Sequence, residues 1–355
     1  MLARSLERAT WNRSAAVIWA ALLLVVSSVC STTGVASENA FGAFGPEGAR
    51  LREQLWVLPG GDPSIPLRAT LFRPDDPLSA PASLAPSANH GDAIRRPLVV
   101  INHGTSDLTR ESVALPVYYW LSRWFVERGY VVLLPQRRGH GATGGPLAES
   151  IGSCADPDHY RSGLIAANDI AASISYMAKQ PFIDANDVIV VGISTGGWAS
   201  LALASKTPSL ARAVINVAGG RGGHAGGRLN AVCGASRLVA AARAYGSTAR
   251  IPTLWLYSEN DSYFGPELAQ TMANAWTGSG GKADLEILPP YRDDGHKIAD
   301  DRAGWNLWGP IIDRFLNTTV EAPQTASATA SVSDVETGAL PPVIRASGSP
   351  SEVRH

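Results

Sequence analysis

The chain has 355 residues, enough to bury one large core, and 45% of them are hydrophobic. Its formal net charge is -1, with no basic or acidic run. That composition fits a globular enzyme and excludes the electrostatic footprint of a nucleic-acid-binding surface.

In chain order, Arg4, Arg8 and Arg13 flank and precede an apolar run over residues 15–29, short for a bilayer span. Small residues follow, and Gly34-Val35-Ala36 offers a cleavage site. Residues 1–36 read as a signal peptide and the protein as exported, periplasmic or secreted. An uncleaved anchor is the rival reading. A lipoprotein at Cys30 is disfavoured, because Ser27-Ser28-Val29 lacks the expected leucine and small residue. Once Cys30 leaves with the signal, Cys154 and Cys233 remain, an even pair suited to a disulfide in an oxidising compartment.

Residues 37–50 carry no pattern. Residues 51–58 and 67–72 read as strands joined by a Pro-Gly-Gly-Asp-Pro turn, and 75–96 as a Pro- and Ser-rich surface loop. A buried strand, 97–102, runs into His103-Gly104-Thr105-Ser106. Ala114, Val117, Tyr118, Leu121, Trp124 and Phe125 repeat at helical spacing up to Gly129. The strand 130–134 leads to Arg137-Arg138-Gly139-His140-Gly141. Leu164, Ala167, Ala171, Ile174 and Ala178 mark the next helix.

The stretch 187–199, DVIVVGISTGGWA, then combines a β-branched buried strand, a Gly-x-Ser-x-Gly turn and a helix start. Such a turn lifts a serine hydroxyl above the sheet, and makes Ser194 the candidate nucleophile. Strand 213–217 precedes a glycine-rich loop through 227; 219–250 reads as a small cap leaving the site open. Strand 253–257, helix 266–276, strand 285–288 and helix 302–316 complete a domain over 51–316. The composition of 317–355 reads as a disordered tail. Strands alternating with helices mean an α/β fold, a mostly parallel sheet with helices on both faces, and function at the carboxyl ends of the strands.

A serine needs a base, and the base an orienting carboxylate. Of the seven histidines only His296 lies between the last strand and the tail, which makes it the base. Asp261, after strand 253–257, is the first choice of acid, with Glu259 the runner-up. Backbone N–H groups of Thr195 and of Thr105 or Gly104, or else of Ser106, would bind the oxyanion. His103 reads as a brace for that loop. His103, His140 and His224 lack metal-ligand spacing, so no metal and no cofactor are expected. Tyr118, Tyr119, Trp120 and Trp198 are candidate pocket walls or ordinary helix packing.

The His103-Gly104 loop, Arg138 to Gly141, Gly192 to Gly197, Asp261 and His296 together resemble the α/β-hydrolase superfamily, nearest the dienelactone-hydrolase-like and prolyl-oligopeptidase-like group. The resemblance covers about residues 51–316 and implies a serine hydrolase with a Ser194, Asp261, His296 triad. Dienelactone hydrolases proper carry cysteine where Ser194 stands, which favours general carboxylic ester hydrolysis. The implied substrate is a small ester or a peptide, with neither nucleic acid nor a stable membrane partner after signal cleavage. A peptidase or amidase uses the same triad, and a non-catalytic binding module on the same scaffold is the reading from another class.

Overall fold

The computed structural model describes residues 41–75, 95–105, 110–115, 118–299 and 301–320. The segment read as a signal peptide, most of the stretch read as a surface loop over 75–96, and most of the segment read as a tail lie outside them.

Nine strands form one sheet in the order β1-β2-β3-β5-β4-β6-β7-β8-β9. β1 (Gly42–Phe44), β2 (Gln54–Leu58) and β3 (Leu67–Phe72) are an antiparallel meander whose last strand pairs antiparallel with β5 (Val131–Gln136). β4 (Arg96–Asn102), β6 (Ile183–Ile193), β7 (Ala213–Val217), β8 (Pro252–Ser258) and β9 (Lys282–Leu288) are parallel to it.

The parallel strands are apolar on both sides because both sides are covered. In β6, Val188 and Val190 face one core and Ile189, Val191 and Ile193 the other. Leu98 and Val100 of β4 alternate with Val99 and Ile101 in the same way. The first core lies under α2 (His159–Met177), α3 (Thr195–Lys206), α4 (Ala235–Gly246) and α5 (Pro266–Thr277). The second lies under α1 (Tyr119–Val126) and α6 (Trp305–Val320), where Trp124 and Trp308 meet edge to face at 5.3 Å. This two-sided burial, worth about 1.5–3 kcal/mol per large aliphatic side chain, is what holds the strand ends in place.

Several elements and boundaries differ from the sequence reading. Residues 42–44 are a strand at the sheet edge, too short to carry a period of its own. α1 begins at Tyr119, leaving Ala114 outside it, since Pro116 disfavours helical backbone just before itself. α6 continues to Val320, four residues past its expected end. The 219–250 gap holds a whole crossover helix, α4, so the cap is confined to the loop before it. Its period was masked by alanines, small enough to sit on either face of a helix.

The sheet order reverses at β4, between β5 and β6. A crevice opens at such a point because the connecting helices leave on opposite faces.

Candidate active site

Ser194 joins β6 to α3 at φ 55°, ψ -122°, a backbone conformation that side-chain-bearing residues rarely adopt. The surroundings force it. Ser194 N–H donates to Val217 O at 3.0 Å, and its carbonyl accepts from Gly220 N at 3.1 Å and Trp198 N at 3.1 Å. The flanking glycines are required sterically: a Cβ on Gly192 would lie 2.2 Å from Gly196 O, and one on Gly196 2.1 Å from Asn102 O. A third approach comes from β4's loop, where a Cβ on Gly104 would meet Ser194 Cβ at 2.8 Å. The serine is therefore presented by β6 and hemmed by β4 and β7.

Asp261 and His296 are brought together across 35 residues. His296 Nδ1 lies 3.1 Å from both carboxylate oxygens of Asp261. Facing an acceptor, Nδ1 carries the proton, which leaves Nε2 a lone pair. Asp261 is 1% exposed, and its Oδ1 also accepts from Tyr263 N at 2.8 Å and Phe264 N at 3.0 Å. These donors supply what a buried carboxylate needs. Glu259, the alternative acid, is exposed, and His296 Nδ1 faces Asp261 instead. No hydrogen bond joins Ser194 Oγ to His296 in this structure; such bonds are often long before substrate binds.

The histidine turn is itself tied down. Asp294 accepts from His296 N at 3.0 Å, from Ser262 N at 3.1 Å and from Ser262 Oγ at 2.8 Å. Burial would raise the Asp294 carboxyl, but these hydrogen bonds outweigh it and hold it below the usual range. The His296 ring stacks on Tyr263 at 4.2 Å, and Tyr263 stacks on His224 at 3.6 Å.

Beside the serine, Thr195 opens α3, and the first N–H groups of a helix have no intrahelical acceptor. Gly104 N donates to Tyr118 Oη at 3.3 Å, and Thr105 lines the cleft. His103 braces this loop: its Nε2 accepts from Arg137 N at 3.1 Å. Burial, then the Arg137 charge, keep His103 well below the usual histidine range, so it stays neutral. His140 packs against His103 ring to ring at 4.7 Å, while His224 lies across the cleft against Tyr263. The three do not converge.

The cleft beside Ser194 has a volume of about 380 Å³. Its walls are the 147–159 loop, the 221–226 loop, Tyr263 and Phe264. Cys154 and Cys233 are disulfide-bonded and clamp the two loops together. The aromatic candidates for the walls do other work: Trp198 is buried, donating from Nε1 to His159 O at 2.9 Å, and Trp120 packs on Tyr119 and Trp305.

A further set went unread in the sequence. Arg137, fully buried, donates to Glu149 from Nε at 2.7 Å and Nη2 at 3.2 Å, to His103 O at 2.8 Å and to Thr195 Oγ1 at 3.4 Å. Arg221 Nη1 reaches the same Glu149 at 3.3 Å. Glu149 sits in an irregular segment with no period, so only the fold shows its partners. The Arg137-Arg138 pair was the available signal.

The fold is that of the α/β-hydrolases. The prolyl oligopeptidase family model matches residues 116–220, which run from α1 through the serine turn. Over those residues the chain is similar to the prolyl-oligopeptidase-like serine hydrolases. The acylaminoacyl peptidase of Pyrococcus horikoshii shares the fold at a TM-score of 0.52 and 14% identity, over 81% of this chain and 43% of that one. The dipeptidyl peptidase 4 of Porphyromonas gingivalis aligns at 0.49 and 16% identity over 76% of this chain, which spans 35% of that protein. The acetyl xylan esterase of Paenibacillus sp. R4 aligns at 0.48 and 13% identity over 78% of this chain and 87% of that one. The sequence matches no curated protein.

Proposed function

We propose that the protein is an exported serine hydrolase that cleaves carboxylic esters through an acyl-enzyme. Ser194 Oγ attacks the ester carbonyl while His296 Nε2 takes its proton. Asp261 holds the imidazole with Nδ1 protonated and stabilises the imidazolium as it forms. The carbonyl oxygen becomes an oxyanion facing the N–H groups of Thr195 and of the 104–105 loop. Gly104 N–H also donates to Tyr118 Oη, which fixes the backbone of this loop beside the serine. His296 returns its proton to the departing alkoxide, and water, activated by the same histidine, releases the acid.

The observation that carries this reading is the strained Ser194 at the head of α3, together with the buried Asp261 holding His296 Nδ1. A helix N-terminus beneath a serine held at positive φ is a costly arrangement with a use in acyl transfer. The Cys154–Cys233 bond supports export, since such bonds persist in oxidising compartments.

The test is hydrolysis of short- and medium-chain p-nitrophenyl esters by the protein and by Ser194→Ala. Turnover that disappears in the variant supports the reading; turnover that persists removes Ser194 from the role. A peptidase or amidase is the second reading, favoured by the prolyl oligopeptidase family match. Release of p-nitroaniline from peptide anilides at rates above those for esters would select it.

A further inference from the structure

The cleft beside Ser194 contains one more buried cation than the described residues neutralise. Glu149, 2% exposed, is held on both oxygens by Arg137 and shares Oε1 with Arg221. One carboxylate thus faces two guanidiniums. Burial would raise Glu149, but the two arginines outweigh it and keep it ionised. Among the described residues, other acids nearby are engaged elsewhere: Asp169 with Arg138, Asp156 with Arg237, and Asp158 as the cap of α2. His159, in the same wall, is held below the usual range by burial, and its Nε2 donates to Cys233 O, so it brings no compensating charge. Among the described residues Arg221 has no carboxylate of its own.

Its position is as telling as its charge. Arg221 lines the cleft with its side chain 11% exposed, and only Nη1 is spent on Glu149. Gly220, its neighbour, donates to the Ser194 carbonyl. Through Glu149 Oε1 and Arg137 Nη2, the guanidinium is also linked to Thr195 Oγ1. The disulfide at Cys233 fixes the far side of the same loop. Keeping an arginine largely desolvated with half a partner is unfavourable unless something anionic completes it.

We propose that Arg221 is a substrate-binding residue and that the preferred substrates are esters carrying a free carboxylate, such as monoesters of small dicarboxylic acids. The planar guanidinium offers Nη2 and Nε as a fork that matches a carboxylate. The two hydrogen bonds orient the acyl portion so that the ester carbonyl, a few bonds away, lies at Ser194. The inference rests on the serine esterase reading above and sharpens its substrate class.

The experiment compares mono-p-nitrophenyl glutarate with p-nitrophenyl valerate, a neutral ester of similar length, after subtraction of spontaneous hydrolysis. Each protein is read by its own ratio of kcat/KM for the two esters, so a loss of folded material cancels. The wild type is expected to favour the acidic ester about tenfold or more, the worth of a hydrogen-bonded charge pair. Arg221→Gln should bring the ratio to about one, and Arg221→Lys should restore part of it. Added salt should lower the wild-type ratio, a readout that needs no variant. A wild-type ratio near one overturns the proposal, as does a preference that survives in Arg221→Gln. Cleavage of the neutral ester alone defeats the substrate class and leaves the esterase reading standing, whereas cleavage of neither ester defeats both.

Discussion

Replacing Ser194 by glycine should make the folded protein more stable while abolishing its activity. Ser194 holds φ 55°, ψ -122°, a region that glycine enters freely and other residues occupy at about 1–3 kcal/mol. The glycine chain loses more backbone entropy on folding, about 0.5–1 kcal/mol. The hydroxyl makes no hydrogen bond among the described residues, so its removal costs little. The net gain is about 1 kcal/mol, or about 2 °C in Tm for a domain of this size. Ser194→Ala is the control: it removes the same hydroxyl and keeps the strain. Calorimetry of the two inactive variants side by side therefore isolates the backbone term. If Ser194→Gly melts at or below Ser194→Ala, the turn is unstrained and the account of how the serine is presented is wrong.

Three further outcomes follow from the geometry. Asp261→Asn should cut kcat by about three to four orders of magnitude, because an amide facing His296 Nδ1 favours the wrong tautomer, while Glu259→Gln at the exposed neighbouring position should leave kcat close to wild type. Replacing Cys154 and Cys233 together by serine releases a cross-link spanning 79 residues, with an expected loss of up to about 4 kcal/mol in chemical denaturation, and should raise KM by freeing both cleft walls. His140, fully buried, is held near pKa 4 by burial and then by Arg137, against about 6.5 in the unfolded chain. Between those values the unfolded state binds the extra proton, so stability is full above about pH 6.5 and falls as the pH drops toward 4. His140→Asn, whose amide can donate as Nδ1 does, should show a shallower decline of Tm over that window; an unchanged slope would assign the acid sensitivity to other groups.

The sequence by itself determined the parts whose physics is local or periodic. A run such as Val188 to Val191 is a strand buried on both faces wherever it occurs, and glycines two places either side of Ser194 allow one sharp turn. Chain order singled out His296, because it is the one histidine between the last strand and the tail. The pair Cys154 and Cys233 was also legible once Cys30 was set aside with the expected signal peptide, and the fold joins them. Between Asp261 and Glu259, however, composition has little to say. Two residues apart on one loop, they differ in that the fold buries one against His296 and leaves the other in solvent. The same is true of Glu149 and Arg221, 72 residues apart in irregular segments, whose contact exists only because two loops meet over the serine. Tyr263, stacked between His224 and His296, belongs with them. Local sequence sets backbone preferences over a few residues. Which charges share one desolvated cleft is decided by contacts between distant segments, and the proposed substrate class rests on those contacts.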